Sequence, residues 1–361
     1  MIQACYEKLA EVLDTLPNGF PATKDGVEMK ILEKIFTPED AELFCELKLT
    51  WETAKQISER TGQASEDLEP RLAIMAERGQ IFSVELGGTR IYKMMPWIFG
   101  IYELQLPRMD EELALLARKY NPVFAQQFLD KKPQLMSVVP VEKTIGAEQT
   151  ALPYEQVSHI IENGRDFQVS QCICRKENRL VGEPCEKTPE GCLAIAPVPG
   201  IFKDSDVSRV ITKTEAYDII RRAEEEALVH MTYNVQEGQH FICNCCGCSC
   251  GVLQGINKLG IPAGQVVRSA YHARIDTDSC EACGICKEER CQVSAISETD
   301  DVYTVHPEQC IGCGLCISSC PTDAIELVRR ENAQEMLPPQ NESEWYKERG
   351  RIRGVAYEKY M

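Results

Sequence analysis

Long apolar runs, basic charge and histidine are all scarce in this chain of 361 residues. No window approaches the roughly 18 apolar residues of a membrane span, and the N-terminus lacks the basic start and apolar core of a signal peptide. Lys and Arg number 39 against 56 Asp and Glu, a formal net charge of −17, which disfavours binding to nucleic-acid backbones or anionic lipid. We therefore expect a soluble cytoplasmic protein with no membrane span and no DNA partner.

Motifs that hold nucleotides or perform hydrolysis are also missing. The sequence has no G-x-G-x-x-G after a strand and no P-loop, so it offers no cradle for a nucleotide or flavin phosphate. No Ser-His-Asp or paired-carboxylate arrangement stands out either. We expect no nucleotide cofactor, and we expect any chemistry on a substrate to reside on another chain.

Cysteine, in contrast, is abundant and unevenly placed. Of the 19 cysteines, 17 fall between Cys172 and Cys320, and only Cys5 and Cys45 lie outside that stretch. In a reducing compartment such a concentration favours metal ligation over a disulfide framework. Because thiolate clusters are damaged by oxygen, the pattern also suggests an anaerobic or microaerobic cell.

The cysteines near the C-terminus form a doubled run. One copy reads Cys310-x2-Cys313-x2-Cys316-x3-Cys320-Pro321, and the other consists of Cys280, Cys283, Cys286 and Cys291. In two-cluster ferredoxins the first three thiolates of each run hold one iron–sulfur cluster and the fourth binds the other cluster. The run predicts two [4Fe–4S] clusters with two ligand sets: Cys280, Cys283, Cys286 and Cys320; and Cys310, Cys313, Cys316 and Cys291.

The segments around the two runs repeat as well. ARIDTDSC matches VYTVHPEQC, and SAISET matches DAIELV, so each half should be a strand, a cysteine loop, a helical turn and a strand, related by a pseudo-twofold axis. The first copy departs from the pattern: four residues instead of three separate Cys286 from Cys291, and Gln292 stands where the second copy has a proline. We expect a looser turn there. The alternative for the module is a zinc-binding or empty ferredoxin fold.

Nine further cysteines lie in the middle of the chain and predict a metal or cluster site: Cys172, Cys174, Cys185, Cys192, Cys243, Cys245, Cys246, Cys248 and Cys250. Neighbouring pairs such as Cys245-Cys246 are badly placed for disulfides with each other. Arg175, Lys176 and Lys187 are expected to offset the thiolate charge.

The residues leave the ligation of these nine thiols open. One option is a third cluster using Cys172 and Cys174 with two cysteines from Cys243 to Cys250, and another is two further [4Fe–4S] clusters. A zinc ion with four thiolate ligands fits the same chemistry, and a redox-active thiol site is a further alternative.

The chain is predicted to be α+β, with an N-terminal winged-helix-like domain, a cysteine-rich middle domain and a C-terminal two-[4Fe–4S] ferredoxin-type domain. The first region shows helical patterns from Thr37, from Trp51 and from Ser65, then two strands around Gly87-Gly88, which is the order of a MarR-like winged helix. The predicted boundaries are 1–100 for the winged-helix-like domain, 101–150 for a helical or extended linker, 151–274 for the middle domain, 275–330 for the ferredoxin domain and 331–361 for a polar tail, which we expect to form an extended arm.

The middle region resembles a family of 4Fe–4S binding proteins from anaerobes. The resemblance covers about 165–330 and rests on the CxCR segment at Cys172, the stretch Ala227-Leu228-Val229-His230, and the ICNCCG segment before the doubled run. It implies iron–sulfur cofactors and electron transfer and gives no substrate.

We therefore expect a multi-cluster iron–sulfur electron-transfer protein, or an oxidoreductase subunit, that exchanges low-potential electrons with a protein partner, itself part of a larger oxidoreductase complex. One alternative is a redox sensor that binds DNA through the winged helix, but residues 1–100 carry 11 basic and 17 acidic side chains, a net charge of −6. The other alternative is a reductase with a catalytic middle-domain cluster. We expect no stand-alone enzyme.

Overall fold

The computed structural model describes residues 2–146, 149 and 151–361. Helices and strands both contribute, as the predicted α+β class requires. The helices are α1 (Ile2–Thr15), α2 (Val27–Ile35), α3 (Pro38–Phe44), α4 (Ala54–Thr61), α5 (Ser65–Glu77), α6 (Tyr102–Leu104), α7 (Glu111–Phe128), α8 (Val157–Glu162), α9 (Ile173–Leu180), α10 (Lys213–Glu225), α11 (Gly251–Asn257), α12 (Ala263–Val266) and α13 (Glu342–Arg353).

The strands fall into four sheets. They are β1 (Glu52–Thr53), β2 (Phe82–Leu86), β3 (Thr89–Lys93), β4 (Met136–Val138), β5 (Asp166–Gln171), β6 (Glu190–Ala196), β7 (Ser208–Ile211), β8 (Val229–Tyr233), β9 (Phe241–Cys245), β10 (Val267–Arg268), β11 (Tyr271–Ile275), β12 (Ile296–Thr299), β13 (Val302–Val305) and β14 (Ile325–Arg329). Within the described residues, no helix is both long enough and apolar enough to cross a membrane.

The chain divides into two units. The first extends to Phe128 and includes Lys176–Pro184 and Tyr346–Met361, and the second comprises Leu129–Arg175 and Cys185–Trp345. The predicted middle and ferredoxin domains fall in a single unit, and the predicted domain boundaries stay a prediction. The segment predicted as a linker, 101–150, is divided between the two units.

The first unit contains the three helices and the hairpin where the sequence places them. Thr37 caps α3 by accepting the Asp40 N–H at 3.2 Å, and Gly62 ends α4. The hairpin β2–β3 turns at Gly87-Gly88, and β1 pairs with β3. Ser65, read as a helix cap, instead lies inside α5, whose cap position is Ala64. Assignment of this arrangement to the winged-helix class stays a prediction.

The second unit is built on a seven-stranded sheet with the order β10-β4-β8-β9-β6-β5-β7. Strand β4, from the predicted linker, lies inside this sheet between β8 and β10. Its residues, Met136 to Val138, are all buried. This short apolar segment between prolines is therefore part of the sheet and not an exposed linker. One face of the sheet packs Phe167, Val169, Leu193, Ile195 and Ile242 against α8 and α10.

The ferredoxin-like module follows the sheet and has the predicted internal symmetry. Strand β11 of the first half pairs with β14 of the second half, and β12 pairs with β13. The first strand of each half therefore meets the last strand of the other half. The module begins with β11 at Tyr271, four residues before the predicted boundary at 275.

The polar C-terminal tail is folded, in contrast to the predicted extended arm. Helix α13 covers Glu342–Arg353. In the second unit the Trp345 indole N–H donates to the Gln134 carbonyl at 2.9 Å and the side chain is fully buried. In the first unit the Arg349 guanidinium lies 4.3 Å from the centre of the Phe128 ring. One aromatic and one cationic anchor thus hold a segment whose composition is mostly polar.

Candidate metal centres

The cysteine loops of the ferredoxin-like module present their sulfurs to backbone N–H groups. Cys310 Sγ accepts from the Ala273 and Gly312 N–H groups, each at 3.4 Å, and Cys291 Sγ accepts from the Ala295 N–H at 3.2 Å. A Cβ at position 312 would overlap the Tyr271 carbonyl, so glycine is needed for this approach. Such N–H···S bonds favour the thiolate form and tune the potential of a bound cluster.

The interior of the module is apolar. Cys286 and Cys316 are buried with Ala273, Ile296 and Ile325, and Cys291, Cys310 and Cys320 pack against the same group. Burial raises the pKa of Cys286 to about 11 and that of Cys313 to about 12. Without a cation these thiols would resist ionisation, so the donor set fits a metal centre that supplies positive charge.

The sulfurs group across the two halves. Cys291 lies near Cys310, and it also contributes to the electrostatic surroundings of Cys313 and Cys316. Cys286 has Cys280 and Cys283 as its charged neighbours. The fourth ligand of the first run therefore approaches the second run, which is the arrangement expected of crossed ligation. Cys320 belongs to the same core group as Cys286.

Six cysteines of the second unit lie together at one end of the three neighbouring strands β5, β6 and β9. Strands β5 and β9 end there and β6 begins there, because each neighbouring pair is antiparallel. Cys192 lies opposite Cys243 in the register, Cys172 and Cys174 follow β5, and Cys250 precedes α11. We call this set the six-thiol group: Cys172, Cys174, Cys192, Cys243, Cys245 and Cys250.

Mutual contact within the six-thiol group opposes ionisation of most members. The Cys174 hydrogen bond, helped by Arg175 and opposed by burial, lowers the pKa of Cys172 to about 6. The same contact raises the pKa of Cys174. Contact with Cys192 raises the pKa of Cys243, and contact with Cys243 raises that of Cys245. Several thiolates can coexist here only around a cation, so the group fits a cluster.

The remaining three cysteines form a separate set, the thiol triad: Cys185, Cys246 and Cys248. Their sulfurs lie within 4.8 Å of one another. The Cys185 and Cys246 sulfurs are 3.7 Å apart, and those of Cys185 and Cys248 are 3.4 Å apart. The triad lies beside Ala223 and Leu228 at the end of α10.

Strand alternation explains why adjacent cysteines join different sets. Ile242 faces the apolar core, so Cys243 and Cys245 point to the other face of the sheet. Successive side chains on an extended chain point in opposite directions, and Cys246 accordingly packs with Ala223 and Leu228. From the sequence, all nine middle-domain cysteines are predicted as one set, because the letters CNCC do not show the pairing register of the strand. The period-two alternation of FICNCC is the signal that separates them.

Arg175 lies between the two thiol sets. Its guanidinium donates to the carbonyls of Thr188 and Asn244, both at 2.7 Å, and the side chain is 2% exposed. Burial opposes the charge of Arg175, but Cys172 and Cys246 raise its pKa. The predicted role of Arg175 thus has a structural basis. Lys176 does not share that role: it donates to the Leu106 carbonyl in the first unit.

Gln292, which replaces the expected proline, joins the cysteine-rich loop to the ferredoxin-like module. Its side-chain oxygen accepts the Gly247 N–H at 2.8 Å, and its carbonyl accepts from the Asn257 side chain at 2.9 Å. A Cβ on Gly247 would overlap that carbonyl. The turn predicted to be loose is therefore held by two hydrogen bonds, and a proline could not accept the one from Gly247 with its side chain. Nothing in the sequence pairs these residues in advance.

Histidines near the sites have other partners. His230 is buried and its Nδ1 lies 2.7 Å from the Asn244 side-chain oxygen. His240 packs edge-on against Phe241. These contacts give His230 and His240 structural roles within the second unit.

Comparison with known proteins supports the iron–sulfur assignment of the module. A family model described as a 4Fe-4S binding domain matches residues 303–326, which include the four cysteines of the second run. Ferredoxin-2 of Chlorobaculum tepidum is 38% identical over 55 residues, covering 87% of that protein and 14% of this chain. The chain belongs to the ferredoxin family through this module.

A second ferredoxin extends the likeness and marks its limits. Ferredoxin-1 of Caulobacter vibrioides is 38% identical over 53 residues, 14% of this chain. The match spans 47% of that ferredoxin, so this chain covers about half of its length. The ferredoxin-type module therefore accounts for 4Fe–4S chemistry near the C-terminus, and the likeness does not extend to the six-thiol group or the triad.

Proposed function

We propose that this protein carries electrons through three [4Fe–4S] clusters, two in the ferredoxin-type module and one in the six-thiol group. Cys280, Cys283, Cys286 and Cys320 hold one cluster of the module, and Cys310, Cys313, Cys316 and Cys291 hold the other. Within the six-thiol group, Cys172, Cys174, Cys245 and Cys250 are the proposed ligands, because the last two are buried and the first two lie just before Arg175. Each cluster accepts and releases single electrons when bound.

The contact between Gly247 and Gln292 carries this proposal. Gly247 follows the strand that bears Cys245, and Gln292 follows the ligand Cys291. Electron transfer through protein weakens steeply with distance, so a direct contact between the two cysteine loops favours exchange between their centres. The Gly247 N–H donates to the Gln292 side-chain oxygen, and the Asn257 side chain of α11 donates to the Gln292 carbonyl, so Gln292 is held at both ends.

Two arginines lie beside the proposed sites, where they offset the negative charge of thiolate ligands. Arg175 lies between the two thiol sets, and Arg290 anchors the first cysteine loop by donating to the carbonyls of Leu315, Glu224 and Glu225. Both cations sit beside ligands instead of pointing into an open cavity. The partner proposed is a protein oxidoreductase that docks on the module, in a cytoplasmic and oxygen-poor setting.

The DNA-binding alternative is disfavoured by the surface that would meet DNA. In helix α5 the first turn exposes Glu66, Asp67 and Glu69, and carboxylates repel phosphates. On the hairpin, Lys93 lies over the Trp51 ring at 5.0 Å. We propose protein docking as the role of this region. Salt-dependent binding to duplex DNA in a gel-shift titration would restore the alternative.

The catalytic-cluster alternative requires a cluster that is one ligand short. Six thiols surround the proposed middle cluster, which needs four, so this site offers no reason for an open iron. We therefore propose an electron carrier or oxidoreductase subunit and not a stand-alone reductase.

Reductive titration tests the proposal. Full-length protein purified without oxygen should take up about three electrons per chain from dithionite, one for each cluster, and return them to a low-potential dye. Electron paramagnetic resonance should show interacting reduced centres. The Cys245→Ser variant should take up about two. A protein that takes up none, or fails to return them, contradicts the proposal.

A further inference from the structure

The thiol triad Cys185, Cys246 and Cys248 has a geometry unlike that of the other cysteines. In the described part of the chain it is the one group of three or more Cys, His, Asp or Glu whose ligand atoms all lie within 4.8 Å of one another. Neither the eight module cysteines nor the six-thiol group contains such a trio. The difference calls for a different occupant.

The spacing of the triad matches a single metal ion. Zinc–sulfur bonds of about 2.3 Å at tetrahedral angles place two sulfurs about 3.8 Å apart, close to the observed 3.7 and 3.4 Å. In a [4Fe–4S] cluster each thiolate binds a different iron, so three ligands do not all crowd around one point. The six-thiol group accordingly shows contacts in pairs, such as Cys172 with Cys174, and no mutual trio. The wider spread of the module cysteines in the same structure agrees with that rule.

The charges beside the triad favour a divalent ion. Three thiolates around a divalent ion leave one net negative charge, which the buried guanidinium of Arg175 beside Cys246 can balance. A monovalent ion such as Cu(I) would leave a further negative charge without a partner of this kind. Soft thiolates select zinc over magnesium or calcium.

The coordination offered by the protein stops at three ligands. No fourth Cys, His, Asp or Glu of the described residues joins the group. The Ser249 hydroxyl lies 3.6 Å from the Cys248 sulfur, but hydroxyls are not among the usual zinc ligands. Cys248 is exposed and Cys185 partly so, so solvent reaches the site.

We propose that the thiol triad binds one zinc ion with an exchangeable fourth position open to a small external ligand. Three protein ligands with an open position are typical of zinc sites that bind a substrate or water, whereas structural zinc sites are closed by four. Gly247, at the contact with Gln292, lies between Cys246 and Cys248, but zinc binding by the triad does not depend on electron transfer.

Adjacent cysteines provide a matched test. Full-length protein and the variants Cys246→Ser and Cys245→Ser are purified without oxygen and analysed for zinc and iron. Cys246→Ser should lose its zinc and keep its iron, while Cys245→Ser should keep its zinc. Loss of a direct ligand should weaken zinc binding by more than the roughly 10–100-fold cost of losing an outer-shell partner. The Ser249→Ala variant, in the same loop, should retain zinc.

Cobalt substitution tests the open position. Co²⁺ bound to the triad should give thiolate-to-metal charge-transfer bands that are absent in Cys185→Ser and Cys246→Ser, and adding cyanide or 2-mercaptoethanol should shift the visible bands. Visible absorption bands that neither cyanide nor 2-mercaptoethanol shifts would mean that the site is closed. If Cys246→Ser loses iron instead of zinc, the triad belongs to a cluster and the proposal is wrong.

Discussion

The ferredoxin-type module and the cysteine-rich sheet build thiolate sites in opposite ways. In the module, three ligands of each set lie within one short loop, so their spacing follows from the chain itself. In the sheet, Cys172, Cys192 and Cys243 come from three strands and meet through the antiparallel register. A local motif reveals its ligands in the sequence, whereas a site made by strand pairing becomes visible only when the register is known.

The largest effect, a loss of bound iron, is expected when a ligand of the proposed crossed clusters in the ferredoxin-type module is replaced. Replacing Cys310 with Ser should remove about four irons per chain, one whole cluster, and Cys291→Ser should remove the same cluster. The double variant should then lose no more iron than either single variant. Iron analysis and electron paramagnetic resonance measure the effect, with Cys5→Ala as a control.

Separate losses in the two single variants, adding up to about eight irons in the double variant, would show that Cys291 and Cys310 serve different clusters. Crossed ligation would then be wrong, and the module would be two independent loops.

Glu155 tests how strongly the sheet supports the module. This buried carboxylate accepts from Arg329 of β14 at 2.9 Å and from Arg268 at 3.2 Å. Glu155→Ala leaves Arg268 buried without its partner and should lower the free energy of unfolding by about 3–5 kcal/mol. Glu326→Ala, which removes the exposed ion pair with Arg274, should cost at most about 1 kcal/mol. Chemical denaturation under argon measures both.

The Glu155 contribution should depend on pH. Burial opposes ionisation, but hydrogen bonds and charge from Arg329 prevail and lower the pKa of Glu155 below its usual 4.5. A carboxyl with a depressed pKa stabilises the fold above its unfolded pKa, and that contribution falls as pH drops through the folded value. The difference in unfolding free energy between wild type and Glu155→Gln should therefore be constant above about pH 5.5 and shrink below pH 4.5. A difference that grows on acidification would contradict this assignment.

Gly247 tests the joint between the two regions. A Cβ there would meet the Gln292 carbonyl, and a backbone atom cannot move aside cheaply. Gly247→Ala should lower the free energy of unfolding by about 1–3 kcal/mol, the usual cost of overpacking, and slow electron exchange between the middle and module clusters. Gly264→Ala, at an open helical position, should leave stability unchanged or raise it slightly. Equal unfolding free energies and electron-exchange rates in the two variants would show that the contact between Gly247 and Gln292 tolerates displacement.

Local signals in the sequence predict local structure well here. The helix that begins after Thr37 and the Gly87-Gly88 hairpin follow from neighbouring residues, and the symmetry of the module follows from its internal repeat. Two long-range features are not predicted from the sequence. Strand β4 lies in the sheet although its segment is predicted to be a linker, and Trp345 anchors a tail that is predicted to be extended. Both depend on buried partners far away in the sequence.

The sites show the same division. Spacing indicates the eight module cysteines, but the sorting of the nine others into six and three depends on strand register and on the direction in which the chain leaves β9. Arg175 could be singled out beside Cys174, while Gln292 appeared only as a departure from a motif. Its role as a contact for Gly247 depends on tertiary structure.

Metal analysis of full-length protein purified without oxygen tests the central claim most directly. Three [4Fe–4S] clusters predict about twelve irons per chain with matching inorganic sulfide. About eight irons would restrict the clusters to the ferredoxin-type module and contradict a cluster in the six-thiol group. A colourless protein without sulfide would contradict the account as a whole.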